Sequence, residues 1–352
     1  MTNQPNKKPL WRRILRIALI VLAILVGIAL VLASVFYAIY WRGRAKLLNR
    51  DLTITPPESL IDNAEEEGRL ITYKGEKYRY NEDVVSLLFL GIDKRDLNTD
   101  AVYGNNGQAD SLFLATLNTR TGEVKVIPLS RESMVDVNLY DASGNFIGIK
   151  RQQLCLAYAY AASAEEGCEN ICRSVGRLLY GMPIDGYVAI DLNGVKTLNS
   201  AVGGIQVKVL EDLEIKNKGE IIRLAAGQTV RLDDNTVLPY IQLRGDDLDA
   251  NEQRMKRQKQ FLNEFIGVAT AEIKANFTLL ETYYNAAKPY TACNLDFSEI
   301  TYLTSTYLVG GRSAIQYLTV QGESKLEGEH VAFYPDETSL YEAVLATFYT
   351  KE

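Results

Sequence analysis

Three mainly apolar runs, at residues 84–90, 112–117 and 124–129, stand out in the hydrophobic pattern of the chain. Runs of this length are typical of strands that are buried on both faces of a sheet in an α/β protein. The pattern therefore predicts three neighbouring core strands. Another buried strand is predicted at residues 187–190, and strict alternation at residues 205–209 predicts a strand with one face in solvent.

Helical signals fill the stretches between and after these strands. Residues 152–162 are rich in alanine, which favours helix. Ser163 and Glu166 then form a capping-box pattern, followed by apolar residues at helical spacing as far as Gly181. The later apolar pattern predicts a helix to about residue 287, a helix at residues 297–308, a strand at residues 315–320 and a last helix at residues 339–349.

The longest apolar stretch lies near the amino terminus, where residues 17–41 carry no formal charge over twenty-five positions. About twenty apolar residues span a bilayer, and a cleaved signal peptide has a shorter apolar core. We therefore predict a tail at residues 1–16 and a retained, single-pass transmembrane signal anchor at residues 17–41. Five basic residues before the anchor and four after it barely fix its orientation. Residues 51–83 contain few apolar side chains, and the segment at residues 42–83 is predicted to be a stalk.

Length and composition narrow the classes of function. The 352 residues give room for one large domain or two small ones. A formal charge of −6, with no long basic run after the first fifty residues, argues against nucleic acid as a partner of the folded part. His330 is the single histidine, which argues against a Ser-His-Asp hydrolase and against a His-rich metal site.

Charged residues flank the three central apolar runs. Asp93 and Arg95 follow the first run, Asp110 precedes the second, and Arg131 follows the third. In open α/β sheets the crevice at the strand ends is where ligands bind. Carboxylates and guanidinium groups with little histidine suit a divalent cation and phosphate oxygens.

A second charged feature lies on the helix after residue 250. Arg254 and Gln258 share one helical stripe with Phe261 and Phe265, so they are predicted to face inward. A buried guanidinium needs an anionic partner, because burying it alone is costly. That partner is either a phosphate or carboxylate of the site, or one of the acidic neighbours Asp246, Asp247 and Asp249.

The four cysteines, Cys155, Cys168, Cys172 and Cys293, lack the paired close spacings of a zinc site. A Cys155–Cys168 disulfide would join two consecutive helices and stabilise the protein by roughly 2 to 4 kcal/mol. Such a bond would suit an oxidising exterior. The alternative is four ordinary buried thiols.

In their order and spacing, these motifs resemble those of the LytR-CpsA-Psr family of membrane-anchored cell-wall glycopolymer transferases. The segments that carry the resemblance are LFLGIDKR, ADSLFLATLN, GEVKVIPLSRES, LAYAY, IDGYVAIDLNGVKTLNSAVGGIQV, LPYIQLR and NEQRMKRQKQF. The resemblance implies an α/β fold of three α-β-α layers with a central mixed sheet, preceded by one transmembrane helix. It also implies an extracytoplasmic domain at residues 84–352, held in the cell membrane of a Gram-positive type bacterium with the amino terminus in the cytoplasm.

The resemblance further implies a phosphotransferase that acts in cell-wall biogenesis. Its members move an anionic glycopolymer, of the teichoic acid or wall polysaccharide type, from a polyprenyl pyrophosphate carrier to peptidoglycan with Mg²⁺. A binding or regulatory protein that holds polyprenyl phosphate without transfer is one alternative. A scaffolding protein of the cell envelope is another, and it explains the clustered charges least well.

Site residues follow from the resemblance position by position. Asp93 and Asp110 correspond to the magnesium carboxylates, and together with Arg131 they are the predicted catalytic residues. The predicted pyrophosphate-binding residues are Arg95, Arg131, Arg244, Arg254, Arg257 and Gln258.

The chain also departs from the family pattern. Gln108 stands where an arginine is usual two residues before the second aspartate, and Gln242 replaces the first arginine of an Arg-x-Arg pair. An aspartate of the family pattern is replaced by Asn251 and another by Glu132, and Cys155 stands where an asparagine is usual. Each lost guanidinium removes charge-assisted contacts worth roughly 1.5 to 3 kcal/mol. Either the substrate or the strength of catalysis is therefore expected to differ in this chain.

Overall fold

The computed structural model describes residues 10–48, 54–97, 102–217, 220–243, 250–310 and 315–352. The helices are α1 (Leu10–Leu48), α2 (Ala164–Leu178), α3 (Leu192–Ala201), α4 (Val237–Gln242), α5 (Ala250–Ala275), α6 (Leu279–Ala287), α7 (Phe297–Gly310) and α8 (Glu337–Phe348). The first nine strands are β1 (Asn63–Glu65), β2 (Leu70–Tyr73), β3 (Glu76–Tyr80), β4 (Val84–Ile92), β5 (Ala109–Asn118), β6 (Val124–Leu129), β7 (Met134–Tyr140), β8 (Phe146–Gln153) and β9 (Gly186–Ile190). The remaining strands are β10 (Gln206–Lys208), β11 (Leu213–Asn217), β12 (Glu220–Leu224), β13 (Thr229–Arg231), β14 (Thr291–Cys293), β15 (Gln316–Tyr317), β16 (Gly322–Glu327), β17 (His330–Pro335) and β18 (Tyr349–Lys351).

A six-stranded sheet with the order β14-β9-β4-β5-β6-β15 forms the centre of the fold. The pairs β4–β5, β5–β6 and β9–β14 are antiparallel, whereas β4–β9 and β6–β15 are parallel. The three apolar runs are thus neighbouring central strands. The predicted α/β fold with a central mixed sheet is confirmed.

Helices cover both faces of this sheet because the side chains of a strand alternate between its faces. Val84 and Leu88 belong to a core that includes residues of α2 and α8. Val85 lies on the opposite face, in a second core with residues of α1 and α7. A third apolar core holds the segments around β10 to β13 against α4 and α5.

The helix predicted at residues 164–181 is present, but the one predicted at residues 152–162 is not. Ser163 caps α2 by accepting a hydrogen bond from the backbone N–H of Glu166, and the Glu166 carboxylate accepts one from Ala162. The preceding residues form β8 and a short 3-10 helix, Leu154–Ala159. Gln152 and Gln153 are extended because β8 pairs with β7 as a hairpin, and the residues that follow form a 3-10 helix instead of an α-helix. Tertiary structure thus overrides the helix preference of the alanines.

The prediction of a stalk at residues 42–83 needs correction. Strands β1, β2 and β3 form a sheet in which β3 also pairs with the carboxyl-terminal strand β18. Ile71 and Tyr73 are buried in the same core as the central sheet. The folded part therefore begins upstream of Val84, because this segment gains its core from the rest of the chain.

Helix α1 runs through the predicted anchor and continues into the domain. Gly43 lies so close to α7 that an added Cβ atom would lie 2.1 Å from the carbonyl oxygen of Ser298. Tyr40 packs on Tyr302 of α7 with 4.9 Å between the ring centroids, and Lys46 forms an ion pair with Asp296. Over the described residues, no helix combines the length and the apolarity that crossing a membrane requires.

All four cysteines are free thiols, so the predicted Cys155–Cys168 disulfide is absent from the structure. The Cys155 sulfur instead accepts a hydrogen bond from Arg131, 3.4 Å away. Cys168 lies on α2 and is fully buried in the core. The alternative of unpaired thiols describes the structure.

Candidate active site

The two aspartates are placed by an irregularity in the pairing of β4 with β5. Gly91 pairs with Ser111 and Ile92 pairs with Ala109, so Asp110 is the extra residue of a β-bulge. The backbone N–H of Asp93 donates to the carbonyl of Gln108 over 3.1 Å. Asp93 and Asp110 therefore lie at the same end of the sheet, on neighbouring strands.

Arg131 is placed by the pairing of β5 with β6. Leu112 pairs with Leu129, and the same register continued by two residues sets Asp110 opposite Arg131. The distance from Arg131 Nη1 to Asp110 Oδ1 is 2.8 Å. The side chains are 15% and 25% exposed, so the ion pair is largely shielded from water.

A second guanidinium reaches the same carboxylate from α5. Arg254 Nη1 lies 3.5 Å from Asp110 Oδ2, and its Nη2 lies 3.5 Å from the carbonyl oxygen of Asp110. The Arg254 side chain is 5% exposed, which confirms its predicted inward orientation. Each carboxylate oxygen of Asp110 thus has an arginine of its own. The acidic alternatives Asp246, Asp247 and Asp249 lie outside the described residues.

The remaining donors of Arg131 have unequal surroundings. Nη2 donates to Oε1 of Gln108 and to the Cys155 sulfur. Nε is buried and has no hydrogen-bond partner among the described residues. Burial alone would lower the pKa of Arg131, but Cys155 and Asp110 raise the pKa above its ordinary value. The guanidinium is therefore charged at any physiological pH.

The other predicted residues of the first strand end lie at the surface. Asp93 is exposed, and Nε2 of Gln242 lies 3.5 Å from its Oδ1. The Arg95 side chain is also exposed, and the backbone carbonyl of Arg95 accepts a hydrogen bond from Asn193. Arg244 lies outside the described residues, so its predicted role stays a prediction.

Arg257 differs from its predicted role as a pyrophosphate contact. It is 3% exposed and forms an ion pair with Glu211. Its Nε donates to the carbonyl of Tyr240 over 2.9 Å, and its Nη2 donates to the carbonyl of Leu243. These contacts hold α5 against α4 and occupy all three nitrogens. These contacts give Arg257 a structural role, and its predicted contact with pyrophosphate stays a prediction.

A narrow cavity beside Arg131 leaves no room for a water molecule in this structure. Its polar lining includes Asp110, Arg131 and Gln258, and Gln258 also donates to the carbonyl of Ile241 over 3.3 Å. The apolar lining consists of Leu112, Phe113, Leu129 and Met255. The cavity therefore places charged donors next to apolar walls, as a ligand with an anionic head and an apolar body requires.

The described residues contain no group of three or more His, Cys, Asp or Glu side chains that could hold a metal ion. The predicted pair of carboxylates is therefore not a complete protein cage. Mg²⁺ is commonly bound by one or two carboxylates together with waters and substrate phosphates. Asp93 and Asp110 fit that mode.

Two contacts escaped the sequence analysis. Gln108 was considered only as the replacement of an arginine, with a difference in substrate or in strength of catalysis expected, whereas its amide oxygen accepts a hydrogen bond from Arg131. Cys155 was considered as a disulfide partner, whereas its sulfur contacts the same guanidinium. The strand register could have revealed the first contact, because it sets β5 and β6 side by side at this end.

The residues of the site lie within a segment that matches a known protein family. The LytR_cpsA_psr family matches residues 58–347. The chain belongs to the LytR-CpsA-Psr family. The matched range includes every residue of the site described above. It starts upstream of Val84, as the folded part of the chain does.

Relatives within the LytR-CpsA-Psr family carry names that state an activity. The chain is 27% identical over 290 residues to the polyisoprenyl-teichoic acid–peptidoglycan teichoic acid transferase TagV of Bacillus subtilis (strain 168), covering 79% of this chain and 69% of TagV. It is 28% identical over 188 residues to TagU of Enterococcus faecalis, covering 53% of this chain and 54% of TagU. The chain thus spans about half the length of that TagU.

Solved structures of the family share the fold. The crystal structure of B. subtilis TagV matches with a TM-score of 0.61 and 25% identity, covering 75% of this chain and 96% of the TagV chain. A structure of TagT bound to LI-WTA matches with a TM-score of 0.55 and 18% identity, covering 75% of this chain and 89% of the TagT chain. The likeness to TagT supports the fold alone.

Proposed function

We propose that this LytR-CpsA-Psr protein transfers an anionic glycopolymer, of the teichoic acid type, from a polyprenyl pyrophosphate carrier to peptidoglycan. Family membership and the names of the relatives TagV and TagU support the reaction. The observation that carries the proposal is the convergence of Arg131 and Arg254 on the two oxygens of Asp110, beside a cavity with apolar walls.

The donors of the site suit a pyrophosphate. Guanidinium groups bind phosphate oxygens with paired, charge-assisted hydrogen bonds. The buried Nε of Arg131 has no acceptor among the described residues. Leaving a buried donor unsatisfied costs about 1 to 3 kcal/mol. A phosphate oxygen that accepts from Nε would recover this free energy, and Arg254 would neutralise the second phosphate.

Mg²⁺ is the cofactor of the proposed reaction. Asp93 and Asp110 would hold the ion, because both are hard oxygen donors at the same strand end. Asp93 is the more open of the two, since it is exposed while both Asp110 oxygens face arginines. When bound, the ion supplies charge neutralisation to phosphate oxygens.

The proposed transfer is a substitution at the phosphorus that carries the glycan. A peptidoglycan hydroxyl oxygen attacks this phosphorus, and the new P–O bond forms as the bond to the bridging oxygen breaks. Polyprenyl phosphate leaves with the bridging oxygen and its electron pair, and the hydroxyl proton passes to solvent. Arg131 stabilises the charge that develops on the leaving group, a role worth several kcal/mol when such a donor is preorganised.

We also propose that the protein is held in the cell membrane by residues 17–41, with the folded part outside the cytoplasm. The absence of formal charge from Ile17 to Trp41 supports the anchor. Leu30, Val31 and Val35 are exposed on α1, as lipid-facing side chains would be. A protein held in the membrane would lie close to its proposed substrate, because a polyprenyl carrier resides in the bilayer.

A second candidate function is binding of the lipid pyrophosphate without transfer. Gln108 and Gln242 favour it, since both replace arginines of the family pattern and both contact charged residues of the site. Restoring arginine at both positions separates the two functions. A large gain of transfer activity in Gln108→Arg/Gln242→Arg over the wild type would indicate that the natural chain had lost catalysis.

The proposed function is tested with the full-length chain in detergent, a polyprenyl pyrophosphate-linked glycan, peptidoglycan and Mg²⁺. Release of polyprenyl phosphate is expected from the wild type and from Arg151→Ala, whose exposed arginine lies on β8. Arg131→Ala is expected to release almost none. Turnover that is equal in Arg131→Ala and the wild type would refute the proposal.

A further inference from the structure

Gln108 contacts two charged residues of the site, Asp93 through its backbone and Arg131 through its side chain. Its backbone carbonyl accepts a hydrogen bond from the N–H of Asp93 over 3.1 Å. Its side-chain Oε1 accepts a hydrogen bond from Arg131 Nη2. The preceding Gly107 has φ +90°, a conformation that favours glycine and fixes the path of the chain into Gln108. The backbone of Gln108 is thus held at the end of the sheet, within reach of Arg131.

The contact occupies a donor that a ligand would use. A phosphate that binds a guanidinium bidentately takes two adjacent N–H groups. On Arg131, Nη1 faces Asp110, whereas Nε is buried and lacks a partner among the described residues. The edge formed by Nε and Nη2 is therefore the one left for a ligand. Gln108 holds one end of that edge.

We propose that Gln108 is an internal competitor of the ligand: its amide oxygen holds Nη2 of Arg131 in the free protein and gives way when a phosphate oxygen binds. This inference rests on the proposed function and specifies how its site is tuned. Gln108 is a positioning residue that sets the affinity of the site for a polyprenyl pyrophosphate.

Arg131 keeps its place when the amide is removed. Asp110 holds Nη1 at 2.8 Å with a charge-assisted hydrogen bond. The backbone of Arg131 is held as well, because its carbonyl accepts a hydrogen bond from the N–H of Cys155 over 3.0 Å. A neutral amide is also a weaker acceptor than a phosphate oxygen, so the ligand wins the competition. Loss of Gln108 Oε1 should therefore remove the oxygen acceptor of Nη2 without misplacing Arg131, and it leaves only the Cys155 sulfur, a weak acceptor, on that nitrogen.

Two substitutions make opposite predictions under this proposal. Gln108→Leu keeps about the same volume but has no acceptor, so the ligand competes for Nη2 only with the weakly accepting Cys155 sulfur. Gln108→Glu puts an anionic acceptor on the same donor, so the ligand competes with a stronger rival. A merely structural role for Gln108 would make both variants bind more weakly. Gln316→Leu is the matched control, because Gln316 is exposed and its side chain contacts Glu123 on the sheet edge over 3.0 Å.

The test uses the full-length chain in detergent and isothermal titration with farnesyl pyrophosphate and Mg²⁺. Gln108→Leu is expected to bind about fivefold more tightly than the wild type, and Gln108→Glu about tenfold more weakly, as the strength of one charge-assisted hydrogen bond allows. Gln316→Leu is expected to match the wild type. Thermal unfolding of each variant shows whether it is folded, and Gln108→Met replaces Gln108→Leu if the latter is not.

Equal or weaker binding by the folded variant that lacks the acceptor overturns the proposal for Gln108 alone. Absence of binding by the wild type overturns the proposed function, and the competition with it. Tighter binding by Gln108→Leu together with weaker binding by Gln108→Glu supports both.

Discussion

Arg131 and Asp110 face each other across neighbouring strands, with 2.8 Å between Nη1 of the arginine and Oδ1 of the aspartate. The second oxygen of Asp110 lies 3.5 Å from Arg254. One carboxylate therefore keeps two largely buried guanidinium groups side by side without net repulsion.

Asp110→Asn should destabilise the protein, while Asp93→Asn should not. The first change removes the anion shared by Arg131 and Arg254 and leaves both guanidinium groups without it. Breaking a buried ion pair costs about 3 to 5 kcal/mol. The cost should be smaller here because Asp110 is partly exposed. Asp93 is exposed, so its loss should change the free energy of unfolding by less than about 0.5 kcal/mol. Urea denaturation measures both. Equal stability of the two variants would show that Asp110 does not hold the arginines together.

Arg131→Lys should lose transfer activity although the charge is kept. A lysine has no planar fork for paired contacts with phosphate. We expect kcat/KM to fall about a hundredfold, as is seen when one preorganised donor is removed. Steady-state release of polyprenyl phosphate measures the effect. Arg151→Lys on the exposed hairpin should keep wild-type kinetics, and a similar loss there would point to a general effect of the substitution.

Arg257→Met should reduce stability more than Gln258→Met. Arg257 pairs with Glu211 and donates to two backbone carbonyls, so its removal leaves these acceptors unsatisfied at a cost of about 3 kcal/mol or more. Gln258 lines the cavity, so its removal should weaken ligand binding more than folding. Denaturation and titration with farnesyl pyrophosphate separate the two effects. A folded Arg257→Met that loses only ligand affinity would restore the sequence-based prediction.

Gly43→Ala should weaken the packing of α1 on α7. The new Cβ atom would lie 2.1 Å from the Ser298 carbonyl oxygen, so one of the helices must shift. Overpacking of this kind costs about 1 to 3 kcal/mol. Gly267→Ala in α5 is the control, because its Cβ atom would meet nothing within 4 Å. Faster proteolysis between α1 and β1 in Gly43→Ala alone would show the loosened contact.

The thiols should stay protonated and unreactive in the folded protein. Burial raises the pKa of Cys172 to about 12. Burial also raises the pKa of Cys155, against the lowering effect of Arg131. Because alkylation needs the thiolate, iodoacetamide at pH 8 should modify these cysteines only after unfolding. Mass spectrometry that finds fewer than four free thiols in the unfolded chain would contradict the structure.

The same shifts predict a pH dependence of stability. An unfolded thiol has a pKa of about 8.5, so above that pH the unfolded chain loses protons that the folded chain keeps. The stability of the folded state is therefore fully retained below about pH 8.5. It is lost progressively as the pH rises toward the raised pKa values of the folded-state thiols. The free energy of unfolding should therefore fall between pH 8 and 9.5. A Cys155→Ala/Cys168→Ala variant should show a smaller fall.

Elements could be predicted from the sequence where burial imposes a pattern of apolar residues. The runs that became β4, β5 and β6 are apolar because both faces of these strands are covered, and Asp110 and Arg131 could be set at one sheet end for that reason. Exposed hairpins leave no such pattern: all six residues of β16 are exposed, and the sequence analysis passed over them. The contacts of Arg257 could not be predicted, because its partner Glu211 is 46 residues away along the chain. Only tertiary structure distinguishes it from Arg254.

The central claim is that the arginines around Asp110 bind a phosphorylated isoprenoid. Mass spectrometry of lipid extracted from the purified full-length chain tests this claim most directly. We predict polyprenyl phosphate or pyrophosphate in the wild type and in Arg151→Ala, and a loss of most of it in Arg131→Ala. The same amount of lipid in Arg131→Ala as in the wild type, or no isoprenoid in any of the three proteins, would contradict the claim.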